Sequence, residues 1–478
     1  MDLLKALFLI GLTAVMSVQA TPTYAQDGDA LLLHNVQILH LEAEQARMDP
    51  GMSILIEDGM IAQVGPVDDI ETAGSPTVID GKGRIVMAGL VDMHVHVWDR
   101  ASLGAYLAAG VTTIRNASGM PFHLRLSQDI AHGRIAGPRL ITTGPILNSP
   151  GPNAQINHQM VTTEDEARAA VQQQHQTGYR RLKVYSNLTR EAYEAILSEA
   201  GRLGMTVMGH TPEGIRTAGM PGKVPFDIAF EDILDDGFVT IEHVESIVWH
   251  GLRDRHSEEA GRALARRIAK SGVAVDPTLL AFYNLLKVAE TKGAYLQRPG
   301  TEHLNPLLVA QSQAEYERWA NEDVDRSRAA FEFYKTMARM LQEEGVLIVA
   351  GSDAGIFTNV PGVSLIDELE LLAEAGLEPI DVLRAATINP AIALGEENFT
   401  GRIAEGFRAD LVLLDNDPTK NLAALRSVSA VVAGGRWLDR RALDQHHAQA
   451  AEHDVERTQR NLVEALIAQG IDPAELGL

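Results

Sequence analysis

Two histidines stand one residue apart in GLVDMHVHVWD, residues 89–99. Residues i and i+2 of a strand project to one face, so in a strand His94 and His96 aim two imidazoles at one place. Further on, Lys183 lies in RRLKVYS, His210 in MTVMGHT, His243 in FVTIEHV and Asp353 in VLIVAGSDAG. Each sits at or near the end of a short, β-branched run. Imidazole and carboxylate are the usual ligands of zinc and related first-row metals, and a catalytic site keeps a further position open to water. A lysine ammonium offers only donors, so Lys183 cannot bind a metal as it stands. One strand-end histidine alone reads as structural. Four histidines and an aspartate in this order read as a metal site.

These residues must be carried by strands whose ends meet. Eight such runs alternate with helical patterns such as TREAYEAILSEAGRLG, and eight strands with helices over about 300 residues suit a (β/α)8 barrel with insertions. Barrel enzymes carry their chemistry at the C-terminal strand ends. The longest insertion is the polar, helical stretch 282–343. Short β-like runs in residues 26–88 and again in 389–440 predict a small β-domain assembled from both chain ends, flanking the barrel at 89–388. Residues 440–470 read as one amphipathic helix with Leu443, Val455, Leu462 and Leu466 buried, and 441–478 form the C-terminal helical segment.

The motifs MAGLVDMHVH, IEHVES and AGSDAG, with the later INPAIALG and GRIAEGFRADLVLLD, resemble the amidohydrolase superfamily over about residues 30–440. The resemblance is nearest to its imidazolonepropionase-like, binuclear branch, which contains Xaa-Pro dipeptidases, arginine carboxypeptidases and ochratoxin-type amidases. It implies an α/β fold, a TIM barrel with a small β-sandwich. It also implies two divalent metal ions, zinc by expectation. His94, His96 and Asp353 would hold one and His210 and His243 the other. Lys183, N-carboxylated by carbon dioxide, would bridge them together with a hydroxide. Asp353 would take the hydroxide proton and pass it to the leaving amine. Asn116 stands where the branch often has an acidic residue, so this part of the rim departs from the branch's pattern. Deaminases of the superfamily commonly use one metal and an acidic residue near the fifth-strand histidine. Glu213 lies three residues past His210, and Lys183 would then have no task.

Arg115, at the second strand end, can grip a substrate carboxylate or form a structural salt bridge. Tyr185, two residues beyond Lys183 on the same strand face, can touch substrate or pack in the core. His158, in the Pro/Gly-rich SPGPNAQINHQ, can belong to a lid over the site. Asp92 and Asp99 flank the histidine pair as supporting groups, and His446, His447 and His453 read as a solvated helix face.

The balance of 41 basic and 64 acidic residues, net −23, argues against nucleic acid or an anionic membrane as partner. The N-terminus has Lys5, an apolar run of about fifteen residues and then small residues, a pattern of a secretory signal over 1–25 that is too short to span a bilayer. Export to the periplasm or medium follows. With no cysteine, there is no disulfide or thiolate ligand. The expected protein is a metal-dependent hydrolase of a small amide or peptide, a dipeptide or an N-acyl amino acid, with self-association left open. Hydrolysis of a cyclic amide or lactone is the alternative. A metal-dependent binding protein without turnover is another, against which the intact Asp353 argues.

Overall fold

The structure, a computed structural model, describes residues 30–473 apart from Ala73, Asn153, Ile156 and 215–225. The expected leader, 1–25, lies outside the described residues. Five strands come first: β1 (Leu31–His40), β2 (Arg47–Glu57), β3 (Met60–Pro66), β4 (Thr77–Asp80) and β5 (Ile85–Ala88). Shorter strands follow: β6 (Leu90–Val95), β7 (Val111–Asn116), β8 (Arg139–Thr142), β9 (Ile146–Asn148), β10 (His158–Met160), β11 (Arg181–Val184), β12 (Thr206–Gly209), β13 (Phe238–Glu242) and β14 (Ala274–Asp276). The last are β15 (Leu411–Leu414), β16 (Val428–Ala433) and β17 (Arg436–Asp439). The fold is mixed α/β.

β1 to β5 and β15 to β17 build one eight-stranded sheet, in which β5 pairs antiparallel with β15. Both chain ends therefore meet in it. Alternating side chains such as Leu31 and Leu33, or Leu411 and Leu413, point to a core of its own. The first apolar run of the sequence divides at Gly89, with Ile85–Ala88 going to this sheet and Leu90–Val95 to the next. A Cβ on Gly89 would lie 2.1 Å from Thr112 Oγ1, so only glycine allows the crossing.

β6 to β14 pair only in parallel, as β6–β7–β8 and as β10–β9–β11–β12–β13–β14. Strands buried on both faces need continuous apolar sequence, as these have. Main-chain bonds join the two groups. On one side Gly144 N donates to Arg181 O at 2.9 Å. On the other, residues 347–354 lie between β14 and β6: Val275 N donates to Leu347 O at 2.9 Å, Met93 N to Ala350 O at 2.9 Å and His96 N to Ala354 O at 2.7 Å. The eighth apolar run is thus an extended segment with isolated bridges at Ile348 and Ala354 rather than a regular strand. Gly351 lets it pass, since a Cβ there would meet Asp276 Oδ2 at 2.0 Å.

Amphipathic helices pack against these strands, and several are started by a side-chain cap. Thr163 and Glu166 form a capping box for Glu164–Thr177, Thr189 caps Arg190–Leu203, and Ser257 caps Glu258–Ser271. The insertion before residue 347 contains four helices, Leu279–Glu290, Pro306–Gln311, Gln313–Ala320 and Val324–Glu343. The expected single C-terminal helix is two, Arg440–Gln449 and Val455–Ala468. Asp454 breaks it by capping the second, its side chain accepting from Arg457 N. Leu443 and Leu466 are buried as expected, whereas Val455 and Leu462 are half-buried. Among the described residues no helix is long and apolar enough to cross a membrane.

Candidate metal centre and active site

β6 delivers His94 and His96 to the interior end of the parallel strands, where both are buried. The His94 ring is fixed from behind. Its Nδ1 lies 2.6 Å from Glu242 Oε2, and a carboxylate there accepts, so Nδ1 carries the proton and Nε2 presents its lone pair. That Nε2 lies 2.9 Å from Lys183 Nζ and 3.4 Å from Asp353 Oδ1. His96 Nδ1 lies 2.9 Å from Ser118 Oγ, and its Nε2 is 3.0 Å from the same Asp353 Oδ1. Asp353 is held in left-handed backbone, φ 53°, which turns its carboxylate back toward β6.

Imidazole rings continue the row. Centroids are 4.8 Å apart for His94 and His243, 4.4 Å for His243 and His210, 4.0 Å for His210 and Tyr185, and 4.8 Å for Tyr185 and His158. Every metal-ligand candidate of the sequence therefore lies in one chain of contacts, as do Tyr185 and His158. Phe282, from the insertion, packs edge-on to His243 at 6.3 Å.

Burial sets the protonation states. It holds His94 and His210 well below the usual imidazole range, helped by Lys183 for His94 and by His243 for His210. It brings His243 to about 4 and His158 to about 3. Lys183 is pushed down to about 8, burial outweighing the attraction of Asp353 and Glu242. Burial works the other way on Asp353, but His94 and His96 outweigh it and hold the carboxyl below its usual range. At neutral pH the site thus offers neutral imidazoles and an ionised carboxylate.

This donor set fits a divalent metal. Asp353 Oδ1, His96 Nε2 and His243 Nδ1 are buried and make no aligned hydrogen bond among the described residues, although the first two are 3.0 Å apart. The His96 and Asp353 atoms face each other without an aligned hydrogen bond, and buried lone pairs so placed call for a cation. The donor atoms of His94, His96 and Asp353 lie within 4.8 Å of one another, as do those of His94, Glu242 and Asp276. In the second group Glu242 is already occupied, because Arg115 Nη2 donates to its Oε1 at 2.8 Å.

That ion pair corrects the expectation for Arg115 as a substrate contact. The guanidinium is 1% exposed. Its other nitrogens donate to Met93 O at 2.6 Å and Thr240 Oγ1 at 2.9 Å. It is a buried support of the Glu242–His94 pair. Sequence reasoning missed Glu242, although a carboxylate inside the apolar FVTIEHV was a usable signal. Asn116 also faces inward, its Oδ1 accepting from Val97 N at 2.9 Å. Glu213 accepts from Trp249 Nε1 at 3.1 Å. Asp92 binds Ser352, at 3.0 Å from its N and 2.5 Å from its Oγ, and Asp99 takes Arg457 at 2.5 and 2.6 Å. His446 is buried rather than solvated, and His447 packs on His303 at 4.3 Å.

Imidazoles and a carboxylate gathered at the ends of parallel strands form a site whose donors could hold a metal ion. Comparison with known proteins shows what the chain is similar to. Residues 240–438 match the amidohydrolase family. An imidazolonepropionase of Treponema denticola is 26% identical over 383 residues, covering 76% of this chain and 85% of that protein. A bottromycin amidohydrolase superimposes with a TM-score of 0.67 at 24% identity, covering 93% of this chain and 91% of that one. A Xaa-Pro dipeptidase with bound methionine gives 0.65 at 20%, covering 86% and 100%. Over residues 240–438 the chain matches the amidohydrolase family, its similarities are consistent with the imidazolonepropionase-like branch, and they point to a hydrolase acting on carbon–nitrogen bonds.

Proposed function

We propose that this protein is an exported, binuclear metal-dependent amidohydrolase that cleaves an amide bond in a dipeptide or an N-acyl amino acid. Its parallel strands are read as a (β/α)8 barrel over 89–388, with residues 26–88 and 389–440 as the β-sandwich beside it and 441–478 as a C-terminal helical segment. His94, His96 and Asp353 would hold one metal, and His210 and His243 the other. The observation that carries this reading is the approach of the unpartnered buried donor atoms His96 Nε2 and Asp353 Oδ1 to 3.0 Å, beside a lysine buried in contact with His94. Such ions, when bound, polarise the scissile carbonyl and acidify water.

The chain's own residues do the rest. Glu242 keeps the proton of His94 on Nδ1, leaving Nε2 free to ligate. Lys183 Nζ, brought to about 8 by burial, exposes enough neutral amine near pH 7 to 8 to attack carbon dioxide. The new N–C bond gives a carbamate, a proton leaves Nζ, and the side chain changes from cation to anion. Asp353 Oδ1, ionised at working pH, accepts the proton of the attacking water and returns it to the departing nitrogen. Tyr185 stands beside His210 and His158 beside Tyr185, where they can contact substrate.

The withdrawal of Arg115 into its ion pair favours a second reading, ring opening of a neutral cyclic amide, for which no carboxylate need be gripped. Elemental analysis of protein purified without chelators is expected to give about two divalent metals per chain. Lys183→Ala should lose at least one of them and nearly all activity, with partial return on adding small carboxylates. One metal at full activity, or an unaffected Lys183→Ala, refutes the binuclear site. Rates on free and amidated dipeptides, beside cyclic amides, then separate the two substrate readings.

A further inference from the structure

We propose that the crevice between the N-terminal ends of β7, β8 and β11 and the eight-stranded sheet is a second binding site, which takes a small dianion bearing a phosphate or a pair of carboxylates. The crevice has a volume of about 600 Å³, the size of an ordinary small-molecule pocket. It shares no lining residue with the metal centre. Its walls carry Arg139, Arg180, Arg181, Arg408 and Arg436, against the carboxylates Asp58 and Asp410. In a chain of net charge −23, five guanidiniums around one space are a local reversal of sign.

The ion pairs of Arg139 and Arg408 leave the charges of Arg180 and Arg181 uncompensated. Arg139 is bound by both oxygens of Glu396, at 2.7 and 2.5 Å, and Arg408 Nε by Asp410 at 3.0 Å. Arg180 donates only to main-chain carbonyls, of His175 at 3.1 Å and of Tyr179 at 2.8 Å, which leave its charge whole. Arg181 is half-buried and makes no ion pair among the described residues. Burial disfavours its charge, and Arg139 and Arg115 disfavour it further, with Glu396 acting against them. A guanidinium fork matches phosphate and carboxylate oxygens two at a time, so an anion entering here relieves the crowding that the fold imposes. The walls come from two sources, the turns at Asp58–Met60 and Ala433–Arg436 on one side and the strand starts on the other. A bound dianion would therefore bridge the small sheet to the parallel strands. Arg181 and Lys183 share β11 two residues apart, so the two sites occupy opposite ends of one strand.

Calorimetric titration of the full-length holoenzyme with inorganic phosphate and, separately, with succinate tests this, with sodium chloride at matched ionic strength as the control. The expected result is saturable binding of one ion per chain, weakened at least about tenfold in Arg181→Gln and in Arg408→Gln, the scale of losing one charge-assisted hydrogen bond. Arg181→Lys should fall between. Binding of phosphate alone, of succinate alone or of both identifies the ligand class. No saturable binding of either, or undiminished affinity in both Gln variants, overturns the proposal. Should Arg181→Gln fail to fold, Arg180→Gln at its exposed position carries the same comparison.

Discussion

Arg115 is where a side chain's type and its surroundings part company. An arginine at a strand end near a metal centre invites a substrate carboxylate, yet this one is spent on Glu242, 127 residues away in the chain. Breaking a buried ion pair from one side costs about 3–5 kcal/mol. Arg115→Met is therefore expected to lower stability by that order in urea unfolding, and to leave the ratio of KM for free and amidated substrates unchanged. A selective rise in KM for free carboxylates at unchanged stability would return the guanidinium to the substrate. Asp353→Asn tests the other end of the site. An amide cannot shuttle the proton, so turnover should fall at least about 100-fold while most metal remains by elemental analysis. The His94 and His96 pair could be read in advance because strand alternation is local and the flanking words are shared with a superfamily. The Glu242 support could not, since nothing in a one-dimensional spacing tells which carboxylate will lie behind which imidazole.

At the scale of elements, the turn after Asp353 is held by a hydrogen-bonded relay from the insertion. Tyr295 OH donates to Asn284 Oδ1 at 2.9 Å, Asn284 Nδ2 to Asn359 Oδ1 at 2.7 Å, and Asn359 Nδ2 to the carbonyls of Ser352 and Asp353 at 3.0 and 3.3 Å. Three non-glycine residues of that turn, Asp353, Phe357 and Thr358, have positive φ, a backbone that needs outside support. Asn359→Ala removes the junction and leaves buried partners bare. It should cost about 1–3 kcal/mol and lower kcat more than it changes KM, whereas Tyr295→Phe, at the far end, should do less. Equal kcat in Asn359→Ala would show that the turn holds itself. The alternation of runs with helical patterns was legible, because period and punctuation are local signals. The irregular eighth segment was not, since Gly351 is required by Asp276 and His94 across the interior rather than by its neighbours in sequence. The break before Asp454 was missed for a different reason. Hydrophobic spacing continued through it, and only the cap reveals it.

For the molecule as a whole, buried neutral histidines make stability depend on acid. His123 is fully buried, accepts from Met120 N at 2.9 Å through Nδ1 and lies 2.7 Å from Val97 O through Nε2. Burial brings its pKa from the usual 6.5 to about 3. The unfolded chain takes up a proton below pH 6.5 that the folded chain refuses, so this residue costs stability progressively as pH falls from 6.5 toward 3. Urea midpoints of the wild type and of His123→Gln, measured from pH 7.5 to 4.5, should converge as the solution becomes more acid. Parallel curves would mean that His123 is protonated in the fold.

The sheet shared by both chain ends has a consequence for biosynthesis. β5 hydrogen-bonds to β15 from Ile85–Leu414 through Ala88–Leu411, so an edge made in the first fifth of translation waits for a partner made in the last. At about 5–20 residues per second, that wait is roughly 15–65 s. Through it the outer edge of β5 stays open to pairing with another chain, and a nascent protein that pauses there needs a chaperone on that edge.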